Sequence, residues 1–283
     1  MAPQEKKTVL ITGCSDGGIG AALAKAFHNT GRYHVIATAR NPSKMKGLVA
    51  VGGIETLQLD VTSQASIDGL VPKLTRLDVL VNNAGAEFLM PVVDIDIAKA
   101  KELFDLNVWA HLAVTQALTP LILQSKGLVV NHTSVGASTM LPWQGVYTAS
   151  KAALMMLSDT LRLEMEPFGV QVVDLRTAVT KTNLIHNHAG KAPTLPKGSI
   201  YEPAREVVEK ALRQEVFVGQ GMDVDEWARL TVRDLSKKKP PPVIWRGESA
   251  TMLWFATFMP FGYLDGFLKK LGGLDIVEKI IKA

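Results

Sequence analysis

The stretch ITGCSDGGIG, Ile11 to Gly20, follows the apolar run Val9 to Ile11 and leads into an Ala-rich segment. Four glycines, Gly13, Gly17, Gly18 and Gly20, leave almost no side chain at this junction. It is either a plain strand-to-helix turn or a loop whose bare backbone meets a ligand. The rest of the chain supplies the context.

Short β-rich runs recur along the sequence: TVLIT, YHVIATA, IETLQLDV, LDVLVNN, GLVVNHTS, VQVVDL and PVIW. Between them lie helical stretches, Ile19 to Thr30, Ser63 to Thr75, Ile95 to Ser125, Val146 to Pro167 and Pro203 to Gln214, followed by Val224 to Lys237 and Ser249 to Leu271. Continuous apolar strands alternating with helices imply a doubly wound α/β fold, with a parallel sheet buried on both faces. No linker or repeat divides the 283 residues, so a single Rossmann-type domain, 1–283, is expected. Residues 178–200, rich in Pro, Gly, Asn and Lys, read as a substrate lid, and residues 249–271 as an apolar C-terminal helix.

Composition narrows the functional classes. The net charge of +4 is small and scattered, which argues against a nucleic-acid partner. Cys14 is the single cysteine, so no intrachain disulfide forms, and a reducing, cytoplasmic setting is expected. No secretory signal is evident at the N-terminus. The uncharged stretch Ala250 to Leu264 is shorter than the roughly 20 residues of a membrane span and is interrupted by Pro260 and Gly262.

In an open α/β sheet the first strand-to-helix turn lies where a dinucleotide pyrophosphate binds, and the dipole of a helix beginning near Ile19 attracts its charge. The second strand ends in Ala39 and Arg40, where an acidic residue would select NAD. Arg40 suits the 2′-phosphate of NADP(H), with Lys44 adding charge nearby; the other reading is an arginine opening a solvated loop.

Downstream, Ser134 follows a buried strand, Tyr147 stands at the start of a helix, and Lys151 lies four residues on, sharing a helix face with Tyr147. An adjacent ammonium lowers a phenol's pKa and makes it a usable acid or base. Tyr147 then protonates a carbonyl oxygen during reduction while Ser134 hydrogen-bonds it. A YxxxK pair by itself is equally at home on a solvated helix face.

Together these residues resemble the short-chain dehydrogenase/reductase family from about Thr8 to Thr182. The loop TGCSDGGIG matches the family's glycine motif, with one residue more than the usual form, and Asn82 to Gly85 matches its NNAG motif. The resemblance implies a catalytic tetrad of Asn107, Ser134, Tyr147 and Lys151, with Asn107 holding a water that links Lys151 to solvent. It implies cofactor contacts from Gly13, Ser15, Gly18, Ile19, Arg40, Asp60, Asn83, Tyr147, Lys151 and Thr182. One departure stands out: Thr177 and Ala178 occupy the family's Pro-Gly place after the sixth strand.

Arg40, the long glycine loop and the apolar tail are similar to the branch that holds NADPH-dependent 1-acyldihydroxyacetone-phosphate reductases. The resemblance implies reduction of a hydrophobic ketone, contact with a lipid surface such as a lipid droplet or the endoplasmic reticulum, and a homo-oligomer. The alternatives are a reductase or dehydrogenase of a specialised metabolite and a catalytically silent NADP-binding regulator. The tail, with Trp254, Phe255, Phe258, Phe261 and Phe267 before Lys269 and Lys270, reads as pocket wall, lipid-resting surface or oligomer contact. His186 and His188 make a poor metal site, and none is expected. Lys181, Lys191 and Lys197 either meet a substrate phosphate or are solvated. His28, His34, His111 and His132 read as structural.

Overall fold

The computed structural model describes residues 5–182 and 193–283. The strands among them are β1 (Lys7–Ile11), β2 (Tyr33–Ala39), β3 (Ile54–Gln58), β4 (Val79–Asn82), β5 (Leu128–His132), β6 (Gln171–Thr177), β7 (Thr180–Lys181), β8 (Met222–Asp223) and β9 (Val243–Arg246). Seven of them form one parallel sheet in the order β3-β2-β1-β4-β5-β6-β9, while β7 and β8 make a small parallel pair. The helices are α1 (Ile19–Asn29), α2 (Lys46–Val51), α3 (Gln64–Asp68), α4 (Ile97–Phe104), α5 (Ala110–Ser125), α6 (Gly145–Met165), α7 (Arg205–Leu212), α8 (Val224–Leu235), α9 (Ala250–Ala256), α10 (Asp265–Leu271) and α11 (Leu274–Lys282).

Period-two alternation puts successive apolar side chains on opposite faces of the sheet, so runs such as VLI feed two cores. Val9 and Ile11 of β1 join Leu23 and Phe27 of α1 and Trp227 and Val232 of α8 on one face. Leu10 points to the other, among Ile67, Val114, Leu118 and Ile122. A third cluster lies outside the sheet layers, built from Leu89, Met90, Trp143, Leu195, Val208, Leu212 and Val277. The strand order reverses between β1 and β4, which opens the crevice where doubly wound sheets bind ligands.

Several elements differ from the sequence reading. Ser63 to Thr75 is helical only over α3, because Gly69 ends it and Pro72 sits in a separate 3-10 turn. The helix expected over Ile95 to Ser125 is α4 and α5 joined by a π-helical turn, Asp105–Trp109. By length and composition Ile97–Ser125 is apolar enough to cross a membrane, but Val114, Leu118 and Ile122 pack against the sheet.

The single helix expected over 249–271 is not formed. It is two short helices, α9 and α10, because Pro260 lacks the N–H a helix needs and Gly262 takes φ of +80°. Trp254, Phe255, Phe258 and Phe267 are exposed, and Phe261 is 95% exposed. The third cluster takes in Val277 of α11, a helix the sequence reading did not foresee.

Candidate active site

The glycine loop is shaped by contacts that only glycine permits. Gly13 adopts φ of +74°, and a Cβ there would lie 2.8 Å from the Cα of Ala84. A Cβ at Gly20 would meet Asn83 Nδ2 and the Gly13 carbonyl, both at 2.6 Å. The loop is thus pressed onto the 82–85 turn, and hydrogen bonds lock the two together. Thr12 Oγ1 accepts from the backbone N–H groups of Asn83 and Ala84, and Asn83 Nδ2 donates to the Thr12 carbonyl at 2.7 Å.

Helix α1 starts at Gly18 in extended conformation, with no side-chain cap and no acidic residue in its first turn. Its leading N–H groups face the crevice and suit an anion such as a pyrophosphate. Ser15 gives its carbonyl to the Gly18 N–H, and Ile19 is the first helical residue. Arg40 is exposed just past β2, and its guanidinium makes no ion pair or hydrogen bond among the described residues. One oxygen of Asp60 accepts from the Thr62 N–H and hydroxyl. These residues fit a nicotinamide dinucleotide.

The four proposed catalytic residues come from different elements. Ser134 follows β5 and its hydroxyl accepts from the Gly136 N–H at 3.0 Å. A Cβ at Gly136 would lie 3.2 Å from Thr148 Cγ2 and in ordinary contact with Ser134 Oγ and Tyr147 Cε1, at 3.4 and 3.8 Å, so this residue packs closely beside the pair. Tyr147 is half-buried in the first turn of α6 and is hydrogen-bonded to Ser134. Lys151, one turn on and buried, donates from Nζ to the His132 carbonyl at 2.8 Å.

Asn107 is fully buried in the π-helical turn, where the extra backbone residue turns its side chain onto the 84–86 segment. Its Oδ1 accepts from the Ala86 N–H at 3.0 Å; its Nδ2 donates to the Ala86 carbonyl at 2.9 Å and to Ser150 Oγ at 3.1 Å. Both amide protons are therefore spent clamping this segment to α6. A water relay through this side chain has only the second lone pair of Oδ1 to use.

The electrostatics depart from the sequence reading at Tyr147. Burial and the nearby Glu87 carboxylate push its phenol above the ordinary value, against a lowering by the Ser134 hydrogen bond. The expected depression by Lys151 does not prevail against burial and Glu87. Burial brings the Lys151 ammonium down to about 8, despite Glu87 and Asp174, and its Nζ is turned to the His132 carbonyl. His111 is brought down to about 3 and His132 well below its ordinary value, each by burial first and then by the charge of Lys151. Cys14 is buried, with its thiol pushed up to about 12, so it is not a reactive nucleophile.

The short chain dehydrogenase family matches residues 7–192, well over half of the chain. The chain belongs to the short-chain dehydrogenase family. A short-chain dehydrogenase/reductase of Pestalotiopsis microspora is 50% identical over 278 residues, covering 98% of each chain. The NADPH-dependent 1-acyldihydroxyacetone phosphate reductase of Schizosaccharomyces pombe is 35% identical over 265 residues, 91% of this chain and 83% of that one. Among solved structures, a short-chain dehydrogenase from Streptomyces avermitilis superposes with a TM-score of 0.75 at 30% identity, covering 98% of both chains.

This short-chain dehydrogenase also carries features that its motifs do not announce. Asp16, within the long glycine loop, accepts from the Gly47 N–H at 3.0 Å, while its own N–H donates to the Lys44 carbonyl at 2.7 Å. Trp143 takes φ of +73°, rare for a bulky residue, and its Nε1 donates to the Gly272 carbonyl at 2.8 Å. It holds the chain entering α6 against the C-terminal segment. Glu87 accepts from Gln214 Nε2 at 2.6 Å. A glutamate following the NNAG turn was the available sequence signal for it; nothing in the local pattern marked Trp143.

The Thr177-Ala178 departure is accommodated by the neighbouring strand. Ala178 donates its N–H to the Arg246 carbonyl at 2.7 Å, and Val179 bridges to Glu248. Thr182, half-buried, ends the described part of this segment. Of the lid expectation, His186, His188 and Lys191 lie outside the described residues, while Lys181 and Lys197 are exposed.

Proposed function

We propose that the protein is an NADPH-dependent reductase that converts the ketone of a hydrophobic substrate into a secondary alcohol. What carries this reading is the convergence of Asn107, Ser134, Tyr147 and Lys151 beside a glycine loop with an uncapped helix start. When bound, the reduced dinucleotide supplies the hydride. Gly13, Ser15, Gly18 and Ile19 would hold its pyrophosphate, Arg40 its 2′-phosphate, Asp60 and Asn83 the adenine side, and Tyr147, Lys151 and Thr182 the nicotinamide side.

In this reading Ser134 hydrogen-bonds the substrate oxygen as negative charge develops, and Tyr147 gives that oxygen its proton. A phenol kept protonated by burial and Glu87 is in the state reduction requires. Lys151 restores the proton and Asn107 keeps α6 and the 84–86 segment in place. The apolar cluster of Leu89, Met90, Trp143 and Val277 beside the start of α6 supports a hydrophobic substrate.

Two substrate classes follow. Similarity to the fission-yeast enzyme favours 1-acyldihydroxyacetone phosphate. The Glu87 carboxylate, close enough to act on both Tyr147 and Lys151, disfavours a phosphate next to the reacting carbonyl and favours an uncharged specialised-metabolite ketone. NADPH consumption on the phosphorylated lipid and on a plain ketone of similar hydrophobicity, with Tyr147→Phe as control, separates them. Tight NADPH binding without turnover on either class would instead favour a regulatory protein.

The same reading extends to the surroundings of the enzyme. The exposed aromatics of α9, α10 and the turn between them, followed by Lys269 and Lys270, support a cytoplasmic protein resting on a lipid surface. Exposed Ile97, Trp109, Met156 and Leu163 on α4, α6 and the π-helical turn support a homo-oligomer. Vesicle flotation and light scattering test these two statements.

A further inference from the structure

One buried ring beside the site belongs to none of these roles. His132 ends β5, and its polar atoms are all engaged. Nδ1 lies 2.9 Å from Asn83 Oδ1, Nε2 lies 2.6 Å from Thr177 Oγ1, and the backbone carbonyl accepts from Lys151. The ring lies against Trp227 of α8, with centroids 5.7 Å apart.

The directions of these bonds follow from the atoms. Asn83 Nδ2 faces the carbonyls of Thr12 and Gly13 at 2.7 and 3.2 Å, and carbonyls only accept. The amide nitrogen must therefore sit there, leaving Oδ1 toward His132. That oxygen also only accepts, so Nδ1 carries the hydrogen. A neutral ring then has Nε2 as its acceptor, and the Thr177 hydroxyl is the donor. Burial and the Lys151 charge keep the ring neutral.

We infer that Thr177 and His132 form a positioning pair that acts through Asn83, holding the Thr12 and Gly13 carbonyls of the glycine loop in register with the Lys151 anchor. The hydroxyl at Thr177, which stands at the end of β6, is then required for reasons of hydrogen bonding and not of shape. Valine would match its volume and leave Nε2 buried without a donor. A disturbance at 177 would pass to the loop through two side chains, each with a single satisfied arrangement.

The part of this inference that concerns ligand affinity rests on the dinucleotide reading; the part that concerns the ring does not. Two measurements separate them. Long-range ¹H–¹⁵N NMR of the unliganded protein should find His132 as the neutral Nδ1–H tautomer near neutral pH. Fluorescence titration with NADPH and NADH should show about tenfold weaker binding in Thr177→Val, near wild-type binding in Thr177→Ser, and the same loss in His132→Phe.

The double variant Thr177→Val/His132→Phe should bind no worse than either single one, because both remove the same link. An Nε2–H ring or an imidazolium, unchanged affinity in Thr177→Val, failure of serine to restore it, or multiplicative losses in the double variant would each overturn the pair. If wild type bound neither dinucleotide, the cofactor reading would fail, and the NMR tautomer would still decide the ring.

Discussion

Replacing Arg40 by alanine separates NADPH from NADH with little else at stake. The guanidinium is exposed and has no partner among the described residues, so its loss should leave stability within about 0.5 kcal/mol of wild type. Its value would lie in a charge-assisted hydrogen bond to a 2′-phosphate, worth about 1.5–3 kcal/mol in general. Solvent at this position brings the expectation to the low end, so the dissociation constant for NADPH should rise about tenfold. NADH, which lacks the phosphate, should bind as before. Titration of both dinucleotides against both proteins by intrinsic fluorescence, with melting curves alongside, reads all three quantities. An unchanged ratio of NADPH to NADH affinity, or an equal loss of both, would refute the assignment of Arg40.

The other expectations concern catalysis, the loop and acid stability. Tyr147→Phe should lower kcat about 10²–10⁴-fold with dinucleotide affinity within about twofold, and a nearly active variant would remove the tyrosine from proton transfer. Gly13→Ala should cost at least about 1–2 kcal/mol, because φ of +74° is strained for alanine and its Cβ would press on the Ala84 backbone; urea midpoints measure this.

His111 and His132 are held neutral in the fold, whereas unfolded histidines take up protons as pH falls below about 6.5. The unfolded state thus binds more protons, and stability should fall with decreasing pH by up to about 1.4 kcal/mol per unit for each ring. A urea midpoint that stays flat from pH 7 to 5 would contradict this.

Much of the architecture was legible because strand-length apolar runs alternating with helices leave few other folds. The crevice was legible because glycines at a strand end answer a local need: Gly13 must be bare to lie against Ala84. The spacing of Tyr147 and Lys151 likewise encodes one helix face. What stayed hidden depends on distant partners. That the tail breaks into two helices was decided by Pro260 and Gly262, and Tyr147's proton affinity by its burial first and then by a Glu87 sixty positions upstream. The His132–Thr177 contact joins the ends of two adjacent strands, and the histidine read by itself was only a structural residue.

The Asp16 tie carries a consequence for redesign. By grasping the backbone at Lys44 and Gly47, it makes the glycine loop and the stretch after Arg40 a single rigid caliper. A ligand that touches both jaws meets a gap whose width is preset before it arrives. Changing residue 40 alone would alter the chemistry of one jaw and leave the gap as it was. Transplanting another protein's cofactor preference into this scaffold therefore means moving residues 13–18 and 40–47 together, as one matched part.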